Sequence, residues 1–271
     1  MLEPPALLAG IILVSLSCYA LLGGADYGGG VWDLFATGPT AARQREVIAR
    51  AIAPVWEANH VWLIVAVTLL FAGFPGAFAR IGTFLHIPLV AALTGIVLRG
   101  AAFVFRAYGP DDPRHEWWWG RVFAIASSLT PLVLGIIVGA LTEGRLPVSP
   151  GADFAGTFVY PWLTPFTLAV GAFTLALFAY LAAVYLTLEA DDAEVEAAFR
   201  LRAIGAGVLV GLLALAVILF AGPVPHLRAL LLSSRWALPI QLTAGGCAIE
   251  ALHALWTRHY SRARIAAAAQ V

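Results

Sequence analysis

Charge is scarce in this 271-residue sequence: 12% of its residues are Asp, Glu, Lys or Arg, against about 25% in an ordinary soluble domain. So few ions cannot cover a water-facing surface, and a 61% hydrophobic share with a mean hydropathy of +0.87 points to a bilayer as the surrounding medium. Cysteine is nearly absent as well. Cys18 and Cys247 both sit inside apolar runs, where small hydrophobes are expected rather than a bridge, and a secreted disulfide scaffold is excluded. Neither sign of charge is in excess: the formal net charge is zero and no basic stripe occurs, which excludes a nucleic-acid partner. Runs alternating at period two are lacking, which removes a membrane β-barrel. The opening Met1-Leu2-Glu3-Pro4-Pro5 has no positive n-region, so no removable signal peptide is expected.

What the sequence does contain is long apolar stretches, roughly 5–35, 46–73, 78–106, 117–141, 162–188, 203–221 and 236–256. Each reaches the length of a membrane span, about 20 residues, and Pro, Gly and charged segments separate them. The fold expected is an all-α integral membrane bundle of seven transmembrane helices, a single polytopic domain over residues 1–271. After Arg258, Arg262 and Arg264 the chain continues as Ile265-Ala266-Ala267-Ala268-Ala269-Gln270-Val271, which reads as the start of an eighth helix. The expectation is either a C-terminally truncated form or a chain ending on the inner face.

All sixteen cations are Arg, and their distribution sets the orientation by the positive-inside rule. Eleven flank the connections after the first, third, fifth and seventh runs; only Arg80, Arg145, Arg228 and Arg235 occupy the opposite connections. The N-terminus is therefore expected outside. Trp117, Trp118, Trp119, Trp162 and Trp236 stand at run ends, where an interfacial anchoring belt is expected.

An ionisable group at membrane depth is a functional candidate by default, because it costs several kcal/mol there on many scales. Asp26 lies within Gly23-Gly24-Ala25-Asp26-Tyr27-Gly28-Gly29-Gly30, Glu57 within Pro54-Val55-Trp56-Glu57-Ala58-Asn59-His60, and Arg99 in the third run. At about 1.5 Å per residue they fall about 14, 16 and 10 Å from the inner boundary, in one half of the bilayer. Such carboxylates either pair with Arg99 or carry protons. Glu57 and His60 are three apart and share a helix face, with Asn59 pointing partly away. His60 stands open between a backbone-satisfied histidine and a proton-path or redox role. Asp33, nearer the inner end, reads as a solvated helix-end charge. Gly24 and Gly28, four apart, read as a close-packing surface rather than a nucleotide loop. His86 and His253 lie deep enough for haem, but a lone membrane histidine is more often satisfied than ligating; no metal site is expected in this chain. Glu250 and His253 share a face, for which a polar contact is the expectation.

Three segments carry a resemblance. Gly24-Ala25-Asp26-Tyr27-Gly28-Gly29-Gly30-Val31-Trp32-Asp33, Arg50-Ala51-Ile52-Ala53-Pro54-Val55-Trp56-Glu57-Ala58-Asn59-His60-Val61-Trp62-Leu63 and Leu98-Arg99-Gly100-Ala101-Ala102-Phe103-Val104-Phe105-Arg106 closely resemble, in order and spacing, subunit II of the cytochrome bd-type quinol oxidases. The likeness continues through Ser128-Leu129-Thr130-Pro131-Leu132 and Leu163-Thr164-Pro165-Phe166. It implies eight helices in two four-helix halves, in a bacterial cytoplasmic (inner) membrane. It also implies a partner, subunit I, that holds haem b and haem d, in a complex that oxidises quinol and reduces O2 to water electrogenically. This chain would ligate no haem. Asp26 and Glu57 match acidic positions that line a proton route from the cytoplasm, some relatives having Asp at the second, and Arg99 matches a buried Arg. Some relatives carry an acid where this chain has Val104. A small third subunit, bound lipid or structural quinone, and the choice of ubiquinol or menaquinol are left open. The competing reading is a secondary transporter that uses the same buried Asp, Glu and Arg as a substrate path.

Overall fold

The computed structural model of the chain describes residues 3–151, 153–222 and 224–271, with the side chains of Glu57, Ala107 and Leu232 outside what it describes. Among these residues all regular structure is helical. α1 (Pro4–Leu34) opens on a proline, whose missing N–H falls where a helix has no use for one. A turn through Gly38, at φ +80°, leads into α2 (Ala41–Ile52). α2 is amphipathic: Val47, Ile48 and Ile52 are buried, while Arg43 and Arg50 stay exposed. Three turn residues around Pro54 separate it from α3 (Trp56–Gly73). Pro75 then opens α4 (Pro75–Phe84), bent by 114° from α3, and α5 (His86–Tyr108) follows.

α6 (Pro113–Glu143) is capped by the Asp112 carboxylate and ends at Gly144, whose φ of 70° suits a residue without Cβ. The short α7 (Phe154–Phe158) precedes α8 (Pro165–Glu189), which begins with a reciprocal Thr164–Thr167 capping box. α9 (Ala193–Phe220), α10 (Pro225–Leu232), α11 (Ala237–Trp256) and α12 (Tyr260–Ala269) complete the chain.

Two of the expected spans resolve differently. The run 46–73 is divided, because its first turns carry Arg50 and belong to the amphipathic α2, and Pro54 interrupts the helix. The run 78–106 begins inside α4, and α5 starts only after a break at Leu85. Five described helices, α1, α5, α6, α8 and α9, are long and apolar enough to cross a membrane, or six if the bent α3–α4 pair is one span. The expected count of seven is thus not reached: α11, which carries Gln241, Glu250 and His253, falls short of that measure.

α8 is the hub. It packs against α1, α6, α9 and α12, and Tyr180, Leu181, Ala183 and Val184 are almost wholly buried in the largest apolar cluster. The expected packing surface on α1 meets it: a Cβ at Gly28 would lie 2.0 Å from the Phe178 carbonyl oxygen, and one at Gly24 would lie 2.5 Å from Leu181. Helices without intervening side chains approach this closely because dispersion and packing, rather than hydrophobic expulsion, drive association in lipid. α6 uses the same device, with Gly135 and Gly139 against Thr174 and Thr167 of α8. Among the expected anchors, Trp117, Trp118 and Trp236 are exposed. Trp119 instead packs on Phe105, ring centroids 4.6 Å apart, and the Trp162 indole donates to the Phe158 carbonyl.

Candidate functional site

The centre of the α1–α3–α5 region is an ion pair with no exposure to solvent. Asp26 and Arg99 are both 0% exposed, and Arg99 Nη2 meets Asp26 Oδ1. Asp26 is carried by α1 and Arg99 by α5. Asn59 of α3 supplies the third member, its Nδ2 donating to Asp26 Oδ2 at 3.2 Å. The guanidinium lies over two aromatic faces, 5.0 Å from the Tyr27 centroid and 5.6 Å from that of Phe123. Such stacking stabilises a desolvated cation where water cannot. Tyr19 donates to the Tyr27 hydroxyl at 3.3 Å, extending the polar group along α1.

Pairing is incomplete. Among the described residues, Nε and Nη1 of Arg99 and Oδ1 of Asn59 have no hydrogen-bond partner although they are buried. Buried donors in this state are costly, and they call for an acceptor, such as water, beyond the described side chains.

Asp26 and Arg99, expected at similar depth, meet in the structure, and the α3 residues beside them take different places. Asn59, expected to point partly away, is 0% exposed and faces Asp26; the face that α3 turns to the core is Asn59's. His60 is only half-buried, and its Nδ1 meets the Trp56 carbonyl at 2.7 Å, the backbone-satisfied arrangement. The Glu57 side chain lies outside the described residues, so the expected Glu57–His60 stripe concerns a position of which only the helical backbone is described.

Asp33 is a correction. Rather than a solvated end charge it is 4% exposed, held by Arg106 Nη1 at 3.2 Å and Arg45 Nε at 3.4 Å. The missed signal was the spacing: Tyr19, Asp26 and Asp33 are seven apart on α1, and so are Arg99 and Arg106 on α5. Seven residues are close to two turns, so each set lies on one helix face.

None of the six histidines is buried, and His60, His86, His115, His226 and His259 each engage a ring nitrogen with a carbonyl or hydroxyl nearby. Glu250 and His253 stand exposed on α11. Among the described residues no three His, Cys, Asp or Glu side chains come together as a metal-holding group.

The family model described as cytochrome bd terminal oxidase subunit II matches residues 4–271. The chain belongs to the bd oxidase subunit II family. Cytochrome bd-I ubiquinol oxidase subunit 2 of Escherichia coli (strain K12) is 29% identical over 187 residues, 67% of this chain and 47% of that protein. Cytochrome bd ubiquinol oxidase subunit 2 of Bacillus subtilis (strain 168) is 36% identical over 104 residues, 37% of this chain and 30% of that one. The chain spans about half the length, or less, of these relatives. In fold it is similar to a chain in the structure of bd oxidase from Geobacillus thermodenitrificans, with a TM-score of 0.79 over 98% of this chain and 80% of the other at 20% identity. That likeness confirms an all-α membrane fold of the bd-oxidase kind for this subunit II family member.

Proposed function

We propose that this subunit II works in a terminal oxidase complex that oxidises quinol and reduces O2 to water, and that it delivers protons toward a haem-bearing subunit I. The haem chemistry, b and d, belongs in this reading to the partner. The observation that carries the role of this chain is the Asp26–Arg99–Asn59 group. It is sealed from water, yet it retains buried polar atoms with no partner among the described residues, as a route that fills with transient water would. Asp26 and Glu57 are proposed as proton carriers, Arg99 as the charge that holds Asp26 in place, and His60 as a minor contributor at the half-buried side of α3. Protons drawn from the cytoplasm and released from quinol outside make the reaction electrogenic without a pump. The excess of Arg on the connections after the first, third, fifth and seventh runs supports an N-terminus outside, in the inner membrane of a bacterium.

Asp26→Asn and Glu57→Ala in the assembled complex are expected to slow quinol-driven O2 consumption while the haem absorption spectrum persists. Wild-type turnover in both, with the complex intact, would remove the role assigned to them. A preparation that is colourless and composed of this chain alone would favour transport instead.

A further inference from the structure

We infer that protons reach Asp26 from a pocket at the inner end of the bundle through Asp33 and the hydroxyl of Ser127. The inference rests on the proton-delivery reading of Asp26 and names its access route. A cavity of about 320 Å³ lies where α1 and α5 end and α6 begins, with Asp33, Arg45, Arg106, Glu116 and Arg121 in its wall. Liquid water occupies about 30 Å³ per molecule, so the space holds several. Of the five charged residues in this wall, Asp33 is the one that is buried. The charged groups that face it are Arg45 from α2, Arg106 from α5 and Glu116 from α6.

Between Asp33 and Asp26 the α1 face is interrupted by Gly30, and Ser127 of α6 fills that place. A Cβ on Gly30 would fall 2.3 Å from Ser127 Oγ. Gly30 is four residues from Asp26 and three from Asp33, about 6 and 4.5 Å along the axis, distances that one water on each side can bridge. On α6, Ala124 lines the cavity and Ser127 stands one turn deeper, beside the Phe123 ring that covers Arg99.

The hydroxyl is unusual among its neighbours. Ser128 and Thr130 donate to the carbonyls of Ala124 and Ala126, as hydroxyls in apolar helices ordinarily do. Ser127 is 0% exposed and its Oγ has no hydrogen-bond partner among the described residues. A hydroxyl both accepts and donates, so it can take a proton on one side as it releases its own on the other. The transfer balances: a hydronium ion in the cavity protonates the Asp33 carboxylate and is left as water, the carboxyl proton passes through one bridging water to Ser127 Oγ as the Ser127 proton leaves through a second to the Asp26 carboxylate, and Asp33 is again a carboxylate. Reversal of the bond directions by water restores the resting state.

The test uses the complete complex with its haem-bearing partner. Asp33→Asn is expected to lower O2 turnover on the order of tenfold, a loss below what a positioned proton-transfer group commonly contributes. The loss should deepen as pH rises and proton supply becomes limiting, and Asp33→Glu should restore much of it. Because Asp33→Asn also loosens two arginines, Ser127→Ala is the decisive variant: it removes one oxygen and leaves every ion pair standing. An increased solvent deuterium isotope effect and a steeper pH profile in Ser127→Ala, with unaltered haem spectra, support the route. If Asp26→Asn slows turnover while Ser127→Ala leaves isotope effect and pH profile unchanged, the route through Ser127 is wrong and the reading of Asp26 stands. If Asp26→Asn is itself without effect, the proton-delivery reading falls, and this route falls with it.

Discussion

Asp26 and Arg99 compensate each other's desolvation, and neither tolerates solitude. Removing one partner of a buried pair leaves an uncompensated charge that costs about 3–5 kcal/mol, whereas replacing both by neutral groups is often nearly neutral. Asp26→Asn alone should therefore lower the thermal midpoint of the purified complex, and the double variant Asp26→Asn/Arg99→Gln should recover most of that loss. Turnover should not recover with it. A double variant as active as wild type would show that the pair only holds helices together. The pairing was legible in the residues because rise per residue is fixed, so depth follows from counting. Asn59 was not, since its direction depends on how α3 is rotated against α1, and the Glu57–His60 spacing carries no information on that rotation. Asp33 was misread for a related reason: α2 folds back and brings Arg45 to a helix end that composition alone leaves open to water.

At the level of helices, α1 is defined by what it omits. Gly24 and Gly28 let it lie on α8 with backbone against backbone, so a side chain at Gly28 has nowhere to go: Phe178 O would be 2.0 Å and Ala182 Cβ 2.6 Å from its first carbon. Gly28→Val should cost at least the 1–3 kcal/mol typical of overpacking and should loosen the carboxylate ladder with it. Gly10→Ala, where nothing lies within 4 Å, is the control and should leave the melting temperature unchanged. Equal melting temperatures would remove the claim that this contact positions Asp26. The small-residue spacing announced the contact, but not its partner, because the two helices are far apart in the chain. Helix boundaries were less legible. A window of apolar composition runs through Pro54 and Leu85 without registering that the direction of the chain changes there.

For the whole molecule, the arginine asymmetry predicts which end of the bundle faces the cytoplasm. With Cys18 and Cys247 replaced by Ala, Arg43→Cys should react with a membrane-impermeant maleimide only in inverted vesicles, and Val148→Cys, at a position 90% exposed between α6 and α7, only in right-side-out ones. The opposite pattern would turn the cavity at Asp33 outward and reverse the proposed direction of proton flow. The all-α class and the deep charges were readable from composition and periodicity. The hub position of α8 was not, because its residues are apolar on every side and give no preferred face.

The separation of the buried pair along the chain has a consequence for biogenesis. Asp26 leaves the ribosome 73 residues before Arg99, which at about 5–20 residues per second is roughly 4–15 s. For that interval the first helix must enter the bilayer with its acid unmatched, a penalty of about 2.5–3.5 kcal/mol on insertion scales. The stretch from Ala6 to Val14, which holds no polar side chain, supplies apolar surface to offset it.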